Sequence, residues 1–334
     1  MNGRKRRIAV FHLVPAEMAD FVATDVALLG ERYEVRPVWY RGTVHGWPDA
    51  VRIFRAVAGS DANLSWFGYR QAYLAVRSSK LLDKPSIVVL GGFDVAGDER
   101  PEGIIPASEV PHLRYTLNHA SAVLALSQRI ASLARQYTNR SDIRVVPLGF
   151  DAQKFSPGGT KDGSVLTVGY VRRANLNRKG LLTFVQAARE FPQRTFYVGG
   201  KIIDDAGDLL QRIATRNVAF TGWLPETELL ERMRRANVYV QASTHEGFGS
   251  SLAQAMLCGC IPVVTSRGAI PEVVGDAGVY IEVGDSNSLA LGIREALEHP
   301  ELAAKARERI ASRFTLDRRR QAVFETTGNL LRDV

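Results

Sequence analysis

Short runs of consecutive apolar, often β-branched residues recur along this chain. Between them lie longer stretches in which apolar positions return every three or four residues. The first six runs fall at 8–13, 35–40, 64–67, 86–90, 122–126 and 143–146. Stretches such as 127–137 lie between them, with Ile130, Leu133 and Ala134 on one helical face. Runs that do not alternate with polar residues belong to strands buried on both faces, so the order strand, helix, strand predicts parallel βαβ units. At 155–163 the pattern breaks: Pro157, Gly158, Gly159 and Gly163 fall within nine residues, a linker composition. The alternation then restarts, with runs at 165–168, 195–198, 218–220, 238–241, 261–264 and 279–281. Two α/β domains are expected, with a boundary near residue 158. Each is a doubly wound, Rossmann-like sheet, and the two face each other across a cleft into which the carboxyl ends of the strands open.

Composition adds three constraints. At 334 residues the chain is long enough for two domains with cores of their own, and 46% apolar with 23% charged residues is ordinary for a globular protein. Forty-three Lys and Arg against 35 Asp and Glu leave a net +8, a surplus suited to an anionic ligand. The cations scatter outside one loop and no nucleic-acid module is present, so no nucleic-acid partner is expected. Cys258 and Cys260 are separated by one glycine, too close for a good disulfide and too few for a zinc site. A reduced, cytoplasmic protein is expected, because the run 8–13 is too short for a signal-peptide core and no run nears the roughly 20 residues of a membrane span.

Two segments concentrate the chemistry. The run 165–168 feeds the loop 169–180, in which Arg172, Arg173, Arg178 and Lys179 stand just ahead of a helix with Leu181, Leu182, Phe184, Val185 and Ala188 on its apolar side. Cations at a helix N-terminus make an anion pocket. The spacing is not that of a Walker loop. The run 238–241 leads into Glu246-Gly247-Phe248-Gly249-Ser250-Ser251, with Ser250 and Ser251 as expected helix caps. Glu246 either caps that helix or holds the hydroxyls of a polar ligand, while the amides of Gly247, Phe248 and Gly249 meet an anion.

These segments and four others, in order, resemble a known family. Pro147-Leu148-Gly149-Phe150-Asp151 with Phe155 and Pro157, Arg172 or Arg173 followed by Lys179-Gly180, Phe220-Thr221-Gly222-Trp223-Leu224, the EGFG of 246–249 with Gln254-Ala255-Met256, Gly259-Cys260-Ile261-Pro262-Val263 and Pro271-Glu272-Val273-Val274 are similar to motifs of the GT-B fold retaining glycosyltransferases of family four, the glycosyl transferases group 1. The resemblance implies an acceptor-side domain at 1–157, a nucleotide-sugar donor domain at 158–315 and a C-terminal helix at 316–334 crossing back to the first domain. It implies transfer of a hexosyl group from a nucleotide-diphosphate sugar to a hydroxyl acceptor, which is a glycan, a lipid-linked molecule or a small molecule. By analogy Glu246, Arg173 and Lys179 are the catalytic set, with Arg172 able to stand in for Arg173. Gly247, Phe248, Gly249, Ser250, Gln254, Trp223 and Leu224 line the donor. No metal or other cofactor is expected, since the chain has no Asp-x-Asp and Asp204-Asp205 reads as a polar loop.

The departures from the pattern matter as well. Gln254 replaces the family's second carboxylate, which would weaken ribose binding by ~1 to 2 kcal/mol. Where many relatives carry a His-Gly-x-Asp, this chain has Gly91-Gly92-Phe93-Asp94, so Gly91, Gly92 and Asp94 become the acceptor-side candidates. The usual glycine pair after the first strand is replaced by His12-Leu13-Val14-Pro15, and His119 reads as structural. These departures support a second reading, a catalytically weak GT-B protein that binds a nucleotide-sugar or serves as a partner subunit. Aromatic and basic residues in 66–80 leave open a peripheral membrane contact of the basic N-terminal surface.

Overall fold

The computed structural model describes residues 4–14, 20–41, 46–96 and 108–332. Pro15 of the segment after the first run lies outside them. The chain forms two compact units, one ending at Gly149 but regaining Leu316 onward, the other spanning Phe150–Thr315.

In the first unit β1 (Arg7–Val14), α1 (Asp20–Gly30), β2 (Glu34–Arg41), α2 (Gly46–Ala58), β3 (Ala62–Trp66), α3 (Arg70–Leu81), β4 (Ser86–Leu90), α4 (Val110–His119), β5 (Ala122–Ala125), α5 (Gln128–Ala134) and β6 (Arg144–Val145) follow one another. All strands are parallel, in the order β2-β1-β3-β4-β5-β6. Every residue of β3 and β4 is buried, as a continuous apolar run demands of a strand covered on both faces. One face packs Phe11, Val38, Ile53, Val57 and Ala75 into a core beneath α2 and α3.

The second unit runs β7 (Val165–Val168), α6 (Arg173–Arg178), α7 (Leu181–Ala187), β8 (Phe196–Gly199), α8 (Ala206–Ile213), β9 (Val218–Gly222), α9 (Glu226–Arg235), β10 (Val238–Gln241), α10 (Ser250–Leu257), β11 (Ile261–Thr265), α11 (Ile270–Val274), β12 (Val279–Ile281), α12 (Ser286–Glu298) and α13 (Glu301–Arg313). Its strand order is β12-β11-β10-β7-β8-β9, again all parallel. Val165, Phe184, Phe196, Val240, Val263 and Ile293 are among the side chains that fill its core. The order reverses between β7 and β10, so this is the point at which a doubly wound sheet opens a crevice at its carboxyl edge.

The last helix, α14 (Leu316–Arg332), belongs to the first unit. Arg319 on α14 and Asp25 on α1 are both fully buried, joined by two hydrogen bonds of 2.9 and 2.6 Å. The same guanidinium donates to the Val146 carbonyl at 2.7 Å and lies over the Trp66 ring. A fork of donors facing a carboxylate suits such a site because both charges are met on both sides. Beside it Arg32 lies 4.1 Å above the Phe324 ring.

Candidate functional site

The crevice of the second unit is bounded by the segments that leave β7 and β10, 169–180 and 242–249. The first is not an open loop: it folds into the short helix α6, entered at Arg172 and left at Lys179. Asn175, buried, donates to the Tyr170 carbonyl at 2.7 Å, and its side-chain oxygen accepts from Arg178 at 2.6 and 3.1 Å. Arg178 is thus absorbed into the structure of the segment rather than offered to a ligand as one of four equivalent cations. Its carbonyl accepts from Thr244, which ties the two segments together. At Gly180 the backbone turns left-handed with φ +66°, and a Cβ there would lie 2.3 Å from the Ala242 carbonyl oxygen. Only glycine lets α7 begin so close to the end of β10.

Across this junction Lys179 Nζ forms an ion pair with Glu246 Oε1. Gln241 Nε2 donates to the same oxygen at 2.8 Å and Ser243 Oγ at 3.0 Å, while Gln241 also reaches Ser243 at 2.7 Å. Three donors converge on Oε1. Glu246 is 8% exposed. Burial alone would raise its carboxyl, but the Lys179 charge and hydrogen bond, then Arg178 and Ser243, outweigh it and hold the group below the ordinary value. The backbone at Glu246 is fixed too, its carbonyl accepting from Ala269 at 2.9 Å. Gly268, at φ +59°, packs so closely on that backbone that a Cβ would lie 2.3 Å from the Glu246 oxygen.

The two adjacent arginines separate. Arg173 is exposed, its guanidinium paired with Asp205 and its backbone N–H donating to both oxygens of Asp204 at 3.1 and 3.0 Å. The acidic pair, expected to be a polar loop, therefore caps α6 and neutralises Arg173. Hydrogen bonding to Asp205 is the main cause that raises the Arg173 pKa, and it lowers that of Asp205 in return. Arg172 is half-buried, and among the described residues no partner meets its buried Nε.

The remaining donor-side residues are distributed as follows. Gly247, Phe248 and Gly249 are buried, and the Phe248 ring is stacked on Phe150 and edge-on to Phe314. Gly249 is the N-cap of α10 and no side chain caps it; Ser250 and Ser251 are its first two residues, not caps. Glu246 lies outside the cap as well. Gln254 is buried on α10. Trp223, 56% exposed, and Leu224 follow β9.

In the first unit the candidates Gly91, Gly92 and Asp94 form a tight turn after β4. Asp94 is buried and accepts from the amides of Gly92 and Gly91 at 2.8 and 3.1 Å and of Gly68 at 2.7 Å. Burial raises its carboxyl against these bonds. Both oxygens are thereby committed to backbone amides, so Asp94 builds the turn. Phe67 beside it holds φ +68°, a conformation that costs a non-glycine residue on the order of 1–3 kcal/mol. His119 bonds its own helix at the Tyr115 carbonyl and stacks on that ring.

Sequence reasoning passed over Gln241, Ser243 and Gly268. The signal for Gln241 was a single amide at the carboxyl end of an otherwise apolar strand. Among the described residues no cluster of three His, Cys, Asp or Glu is placed to hold a metal ion, and no helix is long and apolar enough to cross a membrane.

Residues 164–299, which include both segments of the crevice, match the family model for glycosyl transferases group 1. The GDP-mannose:cellobiosyl-diphosphopolyprenol alpha-mannosyltransferase of Xanthomonas oryzae is 30% identical over 262 residues, 73% of this chain and 66% of the relative. The chain thus spans slightly less than two thirds of that relative's length. The lipopolysaccharide core biosynthesis mannosyltransferase LpcC of Rhizobium leguminosarum is 25% identical over 68% of this chain and 70% of its own. Among solved structures, Anabaena Alr3699/HepE in complex with UDP and glucose superimposes with a TM-score of 0.82 over 97% of this chain and 99% of its own, at 18% identity. Sucrose-phosphate synthase from Thermosynechococcus elongatus gives 0.76 over 98% and 99%, also at 18%. The fold is that of these GT-B, Rossmann-like two-domain glycosyltransferases.

Proposed function

We propose that this chain is a retaining glycosyltransferase that moves a hexosyl group from a nucleotide-diphosphate sugar to a hydroxyl acceptor without a metal ion. The observation that carries the reading is the Lys179–Glu246 pair at the reversal point of the second sheet, with Arg172 next to it. Lys179 and Arg172 meet the diphosphate and stabilise the charge that builds on it as the bond to the sugar breaks. This revises the expected set: Arg173, held by Asp204 and Asp205, positions α6, and Arg172 supplies the second cation. Oε2 of Glu246 holds a sugar hydroxyl while Gln241 and Ser243 keep the carboxylate in place. The departing phosphate oxygen accepts the acceptor's proton on the face it leaves, so configuration at the anomeric carbon is kept. Trp223 and Leu224 lie at the base, and Gln254 binds the ribose.

The donors to try first are GDP-mannose, named in the Xanthomonas relative, and UDP-glucose, because the Anabaena structure holds UDP and glucose. Thermal-shift titration with each nucleotide-sugar, followed by a product assay, tests the reading. A donor that stabilises the protein should be turned over, and Glu246→Ala should abolish turnover while the protein stays folded. Full activity in that variant removes Glu246 from the mechanism. Gln254, in place of a carboxylate, favours the second reading, a nucleotide-sugar binder or partner subunit; stabilisation without turnover across acceptors selects it.

A further inference from the structure

The crevice of the second unit offers a ligand fewer cations than its sequence contains. Asp205 holds the Arg173 guanidinium and Asn175 accepts from Arg178, so two of the four basic side chains are tied to their own surroundings. Arg172 keeps a buried Nε that no described residue meets, and Lys179 is held by Glu246. A diphosphate carries at least two negative charges. Beside Arg172 it needs a second cation, and Lys179 can serve only by leaving Glu246. The two partners are not equally able to move. Gln241 at 2.8 Å and Ser243 at 3.0 Å hold the same carboxylate oxygen as Lys179, and the Glu246 carbonyl accepts from Ala269 at 2.9 Å. The Lys179 stem passes Gly169 at the end of β7, where a Cβ would meet its Cγ at 3.6 Å, and among the described residues its ammonium bonds Glu246 alone. The ammonium is therefore the end that can shift.

We infer that Glu246 and a bound diphosphate compete for Lys179, so that the site favours a diphosphate still carrying its sugar over the nucleoside diphosphate left after transfer. The competition rests on the donor site proposed above. When the donor binds, a sugar hydroxyl donates to Glu246 in place of the departed ammonium, and the carboxylate keeps three hydrogen bonds. The nucleoside diphosphate brings no such donor. It leaves a buried carboxylate with two neutral partners and an anionic neighbour, an arrangement that is costly where water is excluded. Return of Lys179 to Glu246 then drives the product out, so the same ion pair that shapes the site also clears it.

Isothermal titration of the full chain with UDP-glucose, GDP-mannose, UDP and GDP tests this. The nucleotide-sugar that binds should bind the wild type roughly tenfold or more tightly than its own nucleoside diphosphate. Glu246→Gln should erase that preference by tightening the nucleoside diphosphate by a similar factor, because Lys179 no longer has a charge to leave. Lys179→Met added to Glu246→Gln should remove the gain, which separates transfer of the ammonium from the mere loss of a negative charge. Circular dichroism melts check that each variant is folded. A wild type without preference for the donor, a Glu246→Gln variant that binds the nucleoside diphosphate no more tightly, or a gain that survives Lys179→Met overturns the inference and leaves the donor site standing. A wild type that binds neither nucleotide-sugars nor nucleoside diphosphates overturns the proposed function, and the competition with it.

Discussion

Glu246 is a buried carboxylate whose charge is kept by Lys179, so each is costly without the other. Lys179→Met should cost about 3–5 kcal/mol in urea unfolding, because one buried charge loses its partner. Adding Glu246→Gln should recover most of that loss, a coupling that a double-mutant cycle reads directly. The depressed carboxyl also fixes a pH dependence. A folded pKa below the ordinary value of 4.5 adds stability above 4.5, lost as pH falls through the folded value. The stability gap between wild type and Glu246→Gln should therefore close on acidification below 4.5, and a gap that widens there contradicts the assignment. At the adjacent arginines, Arg172→Ala should weaken binding of the donor diphosphate by roughly tenfold or more, as expected for a charge-assisted contact. Arg173→Ala should change it far less, and isothermal titration with the nucleoside diphosphate separates the two. Both carry the same side chain at neighbouring positions, so the sequence does not distinguish them. What does is Asp204-Asp205, 31 and 32 residues away. Glu246 and Lys179 stand out as motif residues; that they touch, across 67 residues, is a property of the sheet order.

Elements were more legible than residues, for a physical reason. The twelve strands of the described residues coincide with apolar runs; β3, β4, β10 and β11, buried throughout, do so because parallel strands covered on both faces admit few polar side chains, while the edge strands β2 and β9 are only partly covered. Short helices were harder. Six residues of α6 bury only Asn175 and Arg178, so the segment has no apolar stripe to betray it and reads as a basic loop. At the junction of α1 and α14, Asp25→Ala should destabilise the protein by about 3–5 kcal/mol, because Arg319 is left buried with only carbonyl partners. Asp25→Leu with Arg319→Met should be far milder than either single change. Differential scanning calorimetry of Asp25→Ala, of the two single changes and of their double measures both outcomes.

For the whole chain, a ligand that binds only the folded protein stabilises it by RT ln(1 + [L]/Kd), about 2.7 kcal/mol at a hundredfold excess over Kd. The matching nucleotide-sugar should raise the melting temperature accordingly, and treatment with EDTA should leave transfer unchanged if Lys179 and Arg172 carry the diphosphate. Loss of activity in EDTA, restored by a divalent ion, would overturn the metal-free proposal. The burial of Arg319 against Asp25 also has a consequence in time. A chain leaves the ribosome from its amino end, yet the first unit lacks α14 until Leu316–Arg332 has been made. The segment Phe150–Thr315 of the second unit is made before it. Asp25 must therefore wait for its arginine, 294 residues further on, until after the second unit has been made.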